Sequence, residues 1–169
     1  MDNEEHIVDL KQQIFELLEP DEKAPFISQI DQERFRLQIC QFINGVVLPV
    51  FRDIQQAFMS YGRSVDIAMA GSSSEYLVVY PKLCIAIPDG RTFNYWLKFT
   101  RTGDNFIIVR YWSIACERDI STVFTRSHPT RSQLLGDLSE ANEEYIQCDI
   151  IELYQRCVVM NTFPLRQAQ

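Results

Sequence analysis

Two runs of alternating residues, 92–101 and 105–112, are joined through Gly103-Asp104, and no other feature constrains the fold as tightly. Glycine at the first central position of a two-residue connection suits a type II′ turn, whose twist matches that of two antiparallel strands. This turn sets the register, so that the numbers of facing residues sum to 207. One face of the predicted hairpin then carries Phe93, Tyr95, Leu97, Phe99, Phe106, Ile108 and Trp112, with Arg110 as the exception. The other carries Asn94, Trp96, Lys98, Thr100, Ile107, Val109 and Tyr111. The first face reads as core. A one-residue bulge would exchange the faces of the second strand, because side chains alternate along it.

Upstream of Gly62 the period is helical. Ile7, Leu10, Ile14, Leu17 and Leu18 predict an amphipathic helix behind an acidic start, and residues 20–25, with Pro20 and Pro25, predict a linker. Phe35, Ile39, Phe42, Val46, Val50, Ile54, Ala57 and Tyr61 advance by three or four, and Gly62 is a C-terminal stop. Pro49 interrupts this run, since its ring collides with the carbonyl four residues back at Gly45. A kink, or two helices meeting at Leu48-Pro49, is expected there, and a static bend is favoured over a hinge.

From residue 64 the period is two. Val65, Ile67 and Met69 predict a strand, Gly71-Ser72-Ser73-Ser74 a loop, and 76–80 and 83–87 two strands separated by Pro81-Lys82. A last strand is expected at 120–126. Leu134, Leu135 and Leu138, then Ile146, Ile150, Leu153, Tyr154 and Cys157, predict helix, with Ser139 as a cap. Strands joined by tight turns and flanked by helices indicate an α+β fold. The expectation is an antiparallel sheet of about five strands, with N-terminal helices and a C-terminal helix packed on it. The boundaries are helical 1–62, sheet 63–127, helical 128–161 and a frayed tail 162–169, in one domain, 1–169.

The net charge is −7, distributed as −6 over residues 1–62, +3 over 63–131 and −4 over 132–169. A general nucleic-acid binder needs clustered Lys and Arg, so this balance counts against one. No run of apolar residues is long enough for a membrane span, and the acidic start is unlike a secretory leader. Five cysteines, Cys40, Cys84, Cys116, Cys148 and Cys157, are an odd and widely spaced set. They read as reduced core residues in a cytoplasmic protein rather than as a disulfide framework.

Candidate catalytic and metal sites fail one by one. Only His6 and His128 are present, and no Cys-x-x-Cys, His-x-His or His-Glu-x-x-His pairing supplies zinc ligands. Cys116 with Glu117 and His128 could form a nucleophile dyad, yet nothing local recommends it over a packed strand-end cysteine. The Gly71–Ser74 loop precedes a strand, whereas a phosphate cradle needs a helix N-terminus. Asp137, Glu140, Glu143 and Glu144 read as a solvated acidic patch. No cofactor, metal or catalytic residue is assigned, and the reading leans away from an enzyme.

One face resists so plain an account. The outward hairpin face holds Trp96, Tyr111, Ile107 and Val109 beside Lys98, more apolar than solvent exposure requires. It is expected to be covered by a helix or a second subunit, or else to bind a partner through Trp96, Lys98 and Tyr111. The function expected is that of a non-enzymatic cytosolic interaction protein. It would be a chaperone-like or inhibitor-like acidic partner, engaging another protein or itself as a homodimer. The alternative is a small-molecule-binding domain, or an enzyme with an unfamiliar pocket between helix and sheet. Single-stranded nucleic acid on the mildly basic sheet ranks last.

Overall fold

The computed structural model describes residues 20–73, 78–103, 105–116 and 130–159. The helix expected at 7–18, the strand at 120–126 and the tail 162–169 lie outside them. The chain divides into two units, Met1–Gln38 and Ile39–Gln169. The described part of the first belongs to helix α1 (Pro20–Phe42). The linker expected at 20–25 is therefore helical. Pro20 occupies the first helical position, where a missing N–H is no loss, and Pro25 forfeits one backbone bond in an early turn.

In the second unit the end of α1 runs into a widened turn, Ile43–Val47, and then into α2 (Leu48–Ser60). Pro49 explains the widening. The Leu48 N–H reaches back five residues to the Ile43 carbonyl, and Pro49 then stands near the start of a new α-helical segment, where no donor is needed. The wide turn lengthens the period, so the buried stripe follows Ile39, Ile43, Val47 and Phe51 and leaves Val46 only half-buried. Gly62 ends α2 as expected. Its φ of +74° lets its N–H reach the Met59 carbonyl at 3.0 Å while the Arg63 N–H reaches Phe58 at 3.0 Å. Two of the orphan carbonyls of the last turn, those of Phe58 and Met59, are thereby satisfied.

Five antiparallel strands follow in the order β1 (Val65–Ser73), β2 (Val78–Ala86), β3 (Arg91–Thr102), β4 (Asn105–Cys116) and β5 (Arg131–Asp137). The fold is α+β. The hairpin β3–β4 keeps one register from Arg91↔Cys116 to Thr102↔Asn105, every pair summing to 207, around Gly103 at φ +63°. Three expectations are corrected. The loop expected from Gly71 is strand through Ser73, and the two strands expected around Pro81 are the single strand β2. Pro81 is tolerated because it pairs with Met69 beside a bulge in β1, and because pairing of β2 with β3 begins only at Lys82. Third, Arg131–Asp137 is strand within a region expected to be helical.

Helix α3 (Glu143–Tyr154) continues into a second widened turn, Gln155–Val159. Its cap is Asn142 rather than Ser139: the Tyr145 N–H donates to Asn142 Oδ1 at 2.9 Å. Glu143 and Glu144 occupy the first turn, where the helix dipole favours negative charge.

Within the second unit the core lies between its helical residues, from Ile39 onward, and one face of the sheet. Phe93, Tyr95, Leu97, Phe99, Phe106 and Ile108 are buried, as their alternation predicted. Rings join the layers edge to face: Phe42 meets Phe99 at 5.7 Å, Phe51 meets Tyr95 at 6.2 Å, and Tyr154 meets Phe93 at 5.4 Å. Such contacts add about 1 kcal/mol each beyond the area they bury.

Candidate functional site

The opposite face of the sheet carries Ala68, Lys82, Trp96, Tyr111 and Ser132 in one row across all five strands. Trp96 and Tyr111 are direct cross-strand partners, and their rings stack at 5.7 Å with 15° between planes. The Lys98 ammonium stands over the Tyr111 ring at 4.9 Å, a cation–π contact. Of the three residues expected to form a surface, Trp96 and Lys98 thus both contact Tyr111, and the register of the hairpin is what unites them. Trp96, Ile107, Val109 and Tyr111 are half-buried, while Lys98 and Thr100 are exposed. Helices α2 and α3 pack on the other face, so neither covers this one.

Two neighbours were missed from sequence. Leu134 pairs with Val109 and is 60 % exposed, and Lys82 faces Trp96. Leu134 was assigned to a helix, so no alternation placed it here. Lys82 stood in an expected break between strands.

The two outermost described strands are poorly suited to adding another strand. β1 is bulged between Met69 and Gly71, and β5 between its partners at Ile108 and Val109. The bulged residue, Leu135, gives its carbonyl to the Tyr145 hydroxyl at 2.7 Å. Bulges twist an edge away from further pairing, which leaves the face as the more capable surface.

On the core side, Arg110 resolves the exception in the hairpin pattern. Its guanidinium pairs with Asp149 Oδ1 from α3 and donates to Gln133 Oε1 across the ladder. It also lies 5.4 Å from the Trp112 ring centre. The Tyr95 hydroxyl donates to the other Asp149 oxygen at 2.8 Å. Asp149 is 8 % exposed, and burial pushes its carboxyl above the ordinary carboxylate range against the pull of Tyr95 and Arg110. Burial, then the Asp149 charge, holds the Tyr95 hydroxyl well above its usual value. With both carboxylate oxygens engaged in the interior, the cluster fastens α3 to the sheet.

Among the described residues no group of three or more His, Cys, Asp or Glu is placed to hold a metal ion. His6, His128 and Glu117 lie outside those residues, as does the side chain of Cys116. Cys40, Cys84 and Cys148 are free thiols, but none of the four described cysteines is a core residue: Cys148 is exposed, and Cys40, Cys84 and Cys157 are half-buried. Burial raises the Cys84 and Cys157 thiols, away from the thiolate that nucleophilic chemistry needs. No described helix is long and apolar enough to cross a membrane. Comparison of the chain with protein-family models, curated proteins and solved structures gives no match.

Proposed function

We propose that this is a non-enzymatic interaction protein that docks a protein partner on the outer face of its sheet. The observation that carries this reading is the stacked Trp96–Tyr111 pair, half-buried beside the exposed Leu134. Aromatic residues dominate binding energy at interfaces, because they offer a large contact area at little entropic cost. General nucleic-acid binding needs clustered Lys and Arg, which a chain of net charge −7 is short of. The Tyr111 ring, engaged by an indole and an ammonium, is a poor platform for a further base. A chaperone-like or inhibitor-like acidic protein of the cytoplasm fits these features. Self-association through the same face is the competing occupant.

The test uses the full chain as bait in lysate from its source, beside the Tyr111→Ala and Thr100→Glu variants. Thr100 is exposed on the same face, so its substitution spares the core. A near-stoichiometric partner retained by the native chain and lost by both variants, with unchanged circular dichroism, supports the reading. Equal retention by all three overturns it. Sedimentation of the same proteins reports self-association.

A further inference from the structure

Resting on that reading, we infer that the partner presents an acidic amphipathic segment, with carboxylates placed to meet Lys82 and Lys98 around an apolar side chain. Both lysines lie on the outer face, Lys82 directly across from Trp96 and Lys98 two residues farther along β3. Neither makes an ion pair with another described residue. Strand spacing and rise set their Cα atoms about 8 Å apart, with the aromatic pair alongside. On the same face Asp66 and Asp137 stand in rows nearer the ends. The middle of the sheet is therefore locally cationic in a chain whose total charge is −7.

A partner bearing basic groups would be repelled at the aromatic centre. One bearing carboxylates gains charge-assisted hydrogen bonds from the ammonium groups while its apolar residue rests on Val109 and Leu134, beside the aromatic pair.

The experiment selects random dodecapeptides, displayed on phage, against the full-length chain, and measures the best synthetic peptide by fluorescence anisotropy. The expected peptides combine Asp or Glu with Leu, Phe or Trp. Their affinity should fall about tenfold in Lys82→Glu/Lys98→Glu and several-fold between about 50 and 300 mM NaCl. It should be unchanged in Arg52→Glu, an exposed change on α2. Recovery of basic or uncharged peptides, indifference to the charge reversal, or recovery of no peptide overturns the inference. Run in parallel, an oligothymidylate that binds with a steep salt dependence also overturns it, in favour of nucleic acid. The failures are separable: if Tyr111→Ala abolishes partner capture from lysate and Lys82→Glu/Lys98→Glu does not, the docking face stands and its charge preference falls.

Discussion

The Tyr95 hydroxyl donates a 2.8 Å hydrogen bond to Asp149, joining the middle of β3 to a helix 54 positions later in the chain. Both groups are buried, so neither has water as a substitute partner. Tyr95→Phe removes the donor while preserving the ring packed against Phe51. The expected loss is about 2 kcal/mol, the range for a bond to a charged group. Urea unfolding should show it as a lower midpoint with an unchanged slope.

Arg110 holds the other oxygen of Asp149 with its own side chain 12 % exposed. Arg110→Met leaves a buried carboxylate uncompensated, at a cost of about 3 kcal/mol near neutral pH. The triple variant Tyr95→Phe/Arg110→Met/Asp149→Leu, which removes every member of the cluster, should regain most of that loss. Denaturant midpoints for the two proteins decide whether the cluster stabilises or chiefly specifies the docking of α3.

The pH dependence has a definite sign. Burial raises the folded carboxyl of Asp149 above its ordinary value of 3.8, so the folded state holds this proton more tightly than the unfolded chain. Its contribution to stability is fully present below that ordinary value and is lost as pH rises through the folded one. Removing Arg110 raises the carboxyl further. The deficit of Arg110→Met should therefore be greatest at neutral pH and shrink on acidification, as read from paired unfolding curves over a pH series.

The two faces of β4 should respond unequally to truncation. Ile108 is fully buried, and Ile108→Ala should cost about 3 kcal/mol through lost burial and the cavity left behind. Its neighbour Ile107 points to the outer face and is half-buried, so Ile107→Ala should cost under about 1 kcal/mol. Thermal melts that gave equal losses would mean a register other than the one described.

At Gly62 a side chain would meet no atom within 4 Å, yet φ is +74°. Gly62→Ala should cost about 1 kcal/mol, all of it from backbone strain in the left-handed region. A loss near zero in denaturant unfolding would show that the end of α2 re-forms without this motif.

The features legible in the sequence were local ones. Glycine at position 103 and the strict alternation on either side sufficed to predict the β3–β4 register, because turn geometry and a period of two leave few alternatives. From that register came the buried row of Phe93, Tyr95, Leu97 and Phe99, and the contacts of Trp96 and Lys98 with Tyr111. Gly62 marked the end of α2 for a similar reason: few residues other than glycine adopt that backbone angle cheaply.

The remainder depended on partners distant in the chain. Leu134, Leu135 and Leu138 fit a helical face as readily as a bulged strand, and only hydrogen bonding to the free side of β4 decided the matter. Pro81 looked like a break until the bulge in β1 showed where a strand can do without a donor. Arg110 was an anomaly on an apolar face until α3 brought Asp149 against it. Short-range sterics and periodicity are written in neighbouring residues, whereas strand pairing and the compensation of a buried charge belong to groups that meet only once the chain has folded.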